Sequence, residues 1–231
     1  MHFIRATIIL AALSALPSAL GAAVTTFPSA KGSVSNGSAI TVKAGQTYDG
    51  GMKRFDRGNG ACSSGEGGQK DAVFILEKGA TLKNAIIGKN QKEGVHCNNG
   101  CKIQNVWWED VCEDALTVLG SGGATITGGG AKSASDKVIQ HNGSGTVTIT
   151  DFFVDGFGKL YRSCGNCKTQ FKRSVVIQGV VAKNGKELVG INQKYGDTVS
   201  ISRVSLSGVS AKCSVYDGNN SGAEPKRVGT C

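Results

Sequence analysis

Two short stretches, Thr125-Ile126-Thr127-Gly128-Gly129 and Thr148-Ile149-Thr150-Asp151-Phe152, carry the reading of the fold. Each alternates polar and apolar residues around a central isoleucine and then meets a bend residue, the pattern of a half-buried strand entering a turn. The same pattern recurs at Thr81-Leu82-Lys83-Asn84-Ala85, Lys102-Ile103-Gln104-Asn105-Val106, Val176-Ile177-Gln178-Gly179-Val180 and Ser200-Ile201-Ser202-Arg203-Val204. Between successive central residues the spacings are 21, 23, 23, 28 and 24. A period in the low twenties built from β-rich segments marks a solenoid, whose turns bury apolar residues only against neighbouring turns. A second column keeps the same rhythm: Gly94-Val95, Asp114-Ala115, Lys137-Val138, Lys159-Leu160 and Glu187-Leu188. Two columns on one period mean at least two strands per turn. The long spacing of 28 falls between the same turns in both columns and marks an insertion around Cys164 to Arg173.

The reading is therefore an all-β, single-domain parallel β-helix over residues 22–231. A leucine-rich repeat would need a Leu-x-x-Leu-x-Leu signature that this chain lacks, and the strands of a sandwich would share no period. Composition agrees. The 231 residues include 34 glycines and 3 prolines, which suits many short elements joined by tight turns and not long helices. Residues 24–70 carry little periodic signal and are expected to form the first turns and a cap. Residues 209–231 are expected to form a tail held by Cys213 and Cys231.

The chain is basic, with 26 Lys+Arg against 17 Asp+Glu and a net charge of +9. That favours a polyanionic partner. The first residues narrow the choice. His2 and Arg5 precede an apolar run from Ile8 to Leu20, followed by the small residues Gly21 and Ala23. This reads as a signal peptide over 1–21, too short to span a bilayer comfortably, and no later segment is apolar enough to do so. Secretion is the expected localisation. It argues against a nucleic-acid partner and for disulfides among the eight cysteines, whose 105 connectivities the sequence leaves open. Three Asn-x-Ser sequons, at Asn36, Asn142 and Asn219, fit the same compartment. Cys164-Gly-Asn-Cys167 is expected to form a disulfide within the inserted loop. A capped solenoid needs no partner, so a monomer is expected.

Stacking the second column assembles chemistry. Aligned on the apolar marker, Glu93, Glu113 and Asp136 climb one face with Asp114 beside them, while Lys137, Lys159 and Arg162 stand on the adjoining turns. Carboxylates about 5 Å apart repel by roughly 3 kcal/mol at an effective dielectric of 20. Such a ladder needs lysines or a hard cation, and Ca²⁺, bound by about 6–8 oxygens, suits it better than zinc. A bound polyuronate would then be open to β-elimination. Its carboxylate meets the cation, a base takes the C5 proton, and the glycosidic oxygen leaves C4. Lys137 is the preferred base, although its pKa would have to fall from about 10.4. Arg162 is better suited to clamp a carboxylate, with an arginine base as the alternative. A glycoside hydrolase would use the acids with water, but the three neighbouring bases speak against it. A non-catalytic wall-binding protein would have no use for the intact set.

Four stretches extend this reading by resemblance: Glu93-Gly-Val-His-Cys97, Asn105-Val-Trp-Trp-Glu-Asp-Val-Cys-Glu-Asp-Ala-Leu-Thr117, Asp136-Lys-Val-Ile-Gln-His-Asn-Gly143 and Gly158-Lys-Leu-Tyr-Arg-Ser-Cys-Gly-Asn-Cys167. Over roughly residues 26–216 the chain resembles the family-3 polysaccharide lyases, small secreted pectate lyases. The resemblance implies a right-handed parallel β-helix and Ca²⁺-dependent cleavage of polygalacturonate (demethylated pectin) with an alkaline optimum. It places Ca²⁺ on Glu93, Glu113, Asp114 and Asp136, and the catalytic bases at Lys137, Lys159 and Arg162. A further N-terminal acid contact of such sites has only Glu66 and Asp71 as candidates. Trp107 and Trp108 point to opposite faces of a strand and are expected to pack under a loop. His96 and His141 are expected to be packed or hydrogen-bonding, Glu109-Asp110 to sit at a bend outside the site, and Lys168, Lys172 and Arg173 to help hold an anionic chain.

Overall fold

The computed structural model describes residues 22–231; the segment read as a signal peptide lies outside the described residues. The first turns carry β1 (Ser33–Ser35), β2 (Ile40–Val42), β3 (Thr47–Asp56), β4 (Ala72–Leu76) and β5 (Ala80–Ile87). The middle holds β6 (Glu93–Asn98), β7 (Cys101–Trp108), β8 (Asp114–Leu119), β9 (Ala124–His141), β10 (Gly145–Thr150) and β11 (Phe153–Ser163). The last turns comprise β12 (Arg173–Gln178), β13 (Val181–Ile191), β14 (Thr198–Ser202), β15 (Ser205–Tyr216) and β16 (Arg227–Thr230). All pair in parallel except β16, which runs antiparallel to β15 and closes the end of the stack. The result is a parallel β-solenoid of about eight turns. Among the described residues no helix is long and apolar enough to cross a membrane.

Each turn has three faces, and the long strands β9, β11, β13 and β15 bend round a corner to serve two or more of them. On the first face the repeat alignment matches the pairing: Leu82, Ile103, Ile126, Ile149, Ile177 and Ile201 stand opposite one another from turn to turn. Down to Ile177 they are at most 1% exposed and form a continuous internal ladder. Two residues after each comes the bend: Asn84, Asn105, Gly128, Asp151, Gly179 and Arg203, with φ between 51° and 67°. Left-handed backbone at one position of every turn explains why the column is held by Gly, Asn and Asp with a single exception. Asn105 Nδ2 donates to Asn84 Oδ1 at 2.9 Å, so neighbouring bends also bond to each other.

The second face has apolar residues on its outside as well. Trp107, Ile86 and Phe153 are buried there beneath Phe27 of the N-terminal segment, with the Phe27 and Trp107 rings 4.9 Å apart. Trp108 points inward and is 1% exposed. Both tryptophans are packing residues. Four disulfides, Cys62–Cys112, Cys97–Cys101, Cys164–Cys167 and Cys213–Cys231, leave no free cysteine among the described residues.

The third face corrects the alignment of the second column by one residue. Val95 stands opposite Leu116, not Ala115, and Glu93 opposite Asp114, not Glu113. Successive residues Ala115-Leu116, Val138-Ile139, Leu160-Tyr161 and Leu188-Val189 are all buried. With both strand faces apolar, alternation cannot fix register.

The inserted loop 164–172 carries a second correction. Arg173, expected to hold an anionic chain, is fully buried at 0% exposure. It donates to the carbonyls of Gly143 and Asn142, both at 2.8 Å, and to Gln170 Oε1 at 2.9 Å. Its guanidinium ties the loop to the turn below. Arg173→Ala is expected to destabilise the fold by about 3 kcal/mol or more, because these acceptors would be left buried without partners. Lys168→Ala, at an exposed position of the same loop, should be neutral. Denaturant unfolding measures both, and equal midpoints would refute the structural role.

Candidate active site

The third face lines a groove of about 650 Å³. One end is acidic. Glu93 and Asp114 are 3% and 4% exposed, and together with Glu113 they bring carboxylate oxygens within 4.8 Å of one another. The corrected register produces this cluster. Glu93 and Asp114 are cross-strand partners, and Glu113 immediately precedes Asp114 at the mouth of β8. A loop from the first turns closes over them. Gly67 N donates to Glu113 Oε2 at 3.2 Å, and a Cβ at Gly67 would fall 2.4 Å from Glu93 Oε1, so glycine is required for that approach. Cys62–Cys112 pins the loop next to Glu113. Of the two further acid candidates, Glu66 comes up against Glu113 at the groove. Asp71 accepts from Gly68 N at 3.0 Å and is not in the lining.

Asp136 does not join the acidic cluster. Strand β9 carries one extra residue at this point: Ala134 faces Phe157, but Lys137 faces Lys159. This bulge turns Asp136 outward, with its side chain 52% exposed. There it contacts Lys137 Nζ and lies 3.4 Å from Lys159 Nζ. Lys137 is also 3.5 Å from Asp114 Oδ1, and so joins the two acid groups. Arg162, 6% exposed, stands farther along the face. Its guanidinium lies 3.8 Å over the Tyr216 ring, and Nη1 is 3.4 Å from Asn192 Oδ1. Pro225 of the C-terminal tail and the Cys164–Cys167 loop form the wall at that end.

The charges follow from this layout. Burial, reinforced by Glu93, raises the Glu113 pKa; burial alone is the main cause for Glu93. Asp114 is raised well above the usual carboxylate range, by burial first and by Glu113 and Glu93 against the pull of Lys137. Asp136 goes the other way: against the cost of burial, Lys137 and Lys159 hold it below its ordinary value. Burial also opposes the charge on Lys137, but Asp114 and Asp136 outweigh it and hold the ammonium above the ordinary lysine pKa. Burial lowers Arg162.

Of the other side chains named from sequence, His96 lines the acidic end, with Nε2 3.3 Å from Glu93 Oε2. His141 is not in the lining; its Nδ1 is 2.8 Å from Tyr161 Oη. Glu109 sits at its bend, bonded by Arg54 at 2.6 and 2.8 Å. Sequence reasoning missed Asn192 and Tyr216. Both come from turns beyond the repeating acids and bases, and only the stacking brings them to Arg162.

The family model described as pectate lyase matches residues 24–222. The chain belongs to the pectate lyase family. "Probable pectate lyase E" of Neosartorya fischeri is 59% identical over 206 residues, covering 88% of this chain and 80% of that protein. "Pectate lyase E" of Emericella nidulans is 59% identical over 203 residues, covering 87% and 79%. Among solved structures, pectate lyase PelI of Erwinia chrysanthemi in complex with tetragalacturonic acid superposes with a TM-score of 0.69 at 30% identity. The match covers 84% of this chain and 64% of that longer one. Against the catalytic domain of PelI the shares are 87% and 91%, at the same TM-score. Together with the fold, these relatives make this protein a pectate lyase.

The acidic end of the groove in this pectate lyase fits a hard cation. Three carboxylates converge from two adjacent turns, and the buried Asp114 Oδ1 has only Lys137 Nζ near it, at 3.5 Å, with no hydrogen bond. The raised pKa values set the sign of the pH effect. Between the ordinary and the raised values, the native chain binds more protons than the unfolded chain. In the absence of cation, these groups therefore cost stability as pH rises through that window. Glu113→Gln removes one of the repelling charges. In EDTA at neutral pH it should raise Tm by about 2–4 °C, equivalent to about 1 kcal/mol, and lessen the gain in Tm on adding Ca²⁺. An unchanged Tm in EDTA would show that the acids do not repel.

Proposed function

We propose that this pectate lyase cleaves polygalacturonate by Ca²⁺-dependent β-elimination, releasing unsaturated oligogalacturonides. The observation that carries the reading is the convergence of three acids beside Lys137, with Lys159 and Arg162 farther along the same groove. Glu93, Glu113 and Asp114 would hold the cation, with Asp136 at the edge of the site between the two lysines. Bound there, Ca²⁺ would draw charge from a uronate carboxylate and acidify the C5 hydrogen beside it. Lys159 and Arg162 bind and orient the polyanion. Arg162 suits a carboxylate because its planar guanidinium lines the groove. Lys137 Nζ takes the C5 proton, the double bond forms between C4 and C5, and the C4–O bond breaks with its electron pair on the glycosidic oxygen, which takes a proton from water. In this reading Lys137 acts as a base only when the charge of Asp114 and Asp136 is offset, since those two carboxylates hold its proton. Alkaline pH lowers that barrier further.

The wider setting belongs to the same proposal. Residues 1–21 are removed, and the mature monomer works outside the cell. Four disulfides with no free cysteine among the described residues support an oxidising compartment.

The test is the ultraviolet absorbance of the unsaturated product from polygalacturonate, followed from neutral to alkaline pH with Ca²⁺ and with EDTA. Product is expected only with Ca²⁺, with the rate rising towards alkaline pH. New reducing ends without ultraviolet absorbance would mean hydrolysis instead. Lys137→Ala should lower kcat by at least about a hundredfold with Tm preserved, and full activity would transfer the role of base to Arg162.

A further inference from the structure

Arg162 is a buried cation with no salt bridge among the described residues, although a carboxylate lies beside it. Glu187 belongs to the next turn, where Lys159 pairs with Glu187 and Arg162 with Gly190. It is 5% exposed, and its Oε1 has no hydrogen-bond partner. A Cβ at Gly190 would fall 2.5 Å from Glu187 Oε1 and 3.0 Å from Arg162 Cδ, so the two side chains flank the same point. Ordinarily a buried carboxylate and a guanidinium this close would pair. Here Glu187 Oε2 instead accepts from Tyr216 Oη at 3.0 Å, while the Tyr216 ring lies 3.8 Å under the guanidinium. On the other side, Asn192 supplies an uncharged acceptor. Its Oδ1 meets Arg162 Nη1, and its Nδ2 is locked by Ser163 Oγ at 3.1 Å and the Cys164 carbonyl at 2.9 Å. Nη2 is buried against Gly165 without a partner; a Cβ there would fall 2.4 Å from it, so only glycine lets the guanidinium lie in this place.

We propose that Tyr216 is a positioning residue for Arg162: its hydroxyl holds Glu187 away from the guanidinium while its ring fixes the guanidinium plane, so that Arg162 keeps its charge for a polyanion in the groove that it lines. This rests on the reading of Arg162 as a uronate-binding group. Its contribution is electrostatic. A guanidinium neutralised by Glu187 would present no net charge to the polyanion. Stacked on an aromatic face, it keeps its charge and is restrained in direction only. Tyr216 retains the proton it donates, since burial and Glu187 push its pKa up to about 12.

The experiment compares Tyr216→Phe, Glu187→Gln, the double variant Tyr216→Phe/Glu187→Gln and Arg162→Ala, by kcat and KM on polygalacturonate at saturating Ca²⁺, with Tm for each. Tyr216→Phe keeps the ring but frees Glu187 to pair with Arg162. It is expected to lose roughly tenfold in kcat/KM, carried mainly by KM. The double variant, with no carboxylate left to compete, should recover to the level of Glu187→Gln alone. A merely structural role predicts no such recovery. Tyr216→Phe with wild-type KM, or a double variant no better than Tyr216→Phe, would overturn the positioning role while Arg162→Ala stays impaired. Full activity of Arg162→Ala would instead remove the underlying reading of Arg162, and the inference with it.

Discussion

Parallel strands stacked about 4.8 Å apart in fixed register place each residue of a turn directly over its counterpart in the turn below. The rest of this molecule follows from that spacing. On the first face it makes a ladder of Leu82 and five isoleucines into a continuous core. At the corners it repeats one left-handed position from turn to turn, so Gly, Asn and Asp recur there. On the third face it forces Glu93 against Asp114, Asp114 against Lys137, and Lys137 against Lys159. No unrelated packing arrangement is needed to concentrate charge. The repeat that builds the core also builds the site.

Concentrated charge has to be partitioned if it is to be useful. A plain ladder would neutralise itself, acid against base up the whole face. The extra residue in β9 limits this by turning Asp136 outward to the two lysines and leaving Glu93, Glu113 and Asp114 as a cluster that Lys137 alone links to it. At the other end Tyr216 occupies Glu187, and Arg162 has no ion pair among the described residues. The groove therefore runs from an acidic end, short of positive charge, to a basic end with an unpaired guanidinium edge. Such a gradient suits a polymer whose every unit carries a carboxylate.

The walls of that groove come from the segments that do not repeat. Stacking gives a loop between strands no register, and three of the four disulfides lie where that freedom is greatest. Cys62–Cys112 holds the loop bearing Glu66 and Gly67 over the acids. Cys164–Cys167 closes the inserted loop on itself, and Cys213–Cys231 fastens the tail that delivers Pro225. Arg173 does the same work without a covalent bond, through carbonyls from the turn below.

The sequence by itself determined the solenoid, because a period of twenty-odd residues with strand-like alternation has few other solutions, and the six central residues of the first face paired as their spacing implied. It also determined which side chains to watch on the third face, because charge recurring at one position of a repeat has to stack. Only the tertiary structure decided how they group. The third-face strands are buried on both sides, so the Ala115-Leu116 and Val138-Ile139 pairs concealed a one-residue slip that changes which acid faces Glu93. A bulge, which leaves no periodic trace, separated Asp136 from the other acids. Arg173 became a structural residue and Tyr216 a neighbour of Arg162 for one physical reason. Apart from Gln170, the partners named lie 29 or more residues away in sequence, and a repeat predicts the contacts of equivalent positions but not those of the segments that interrupt it.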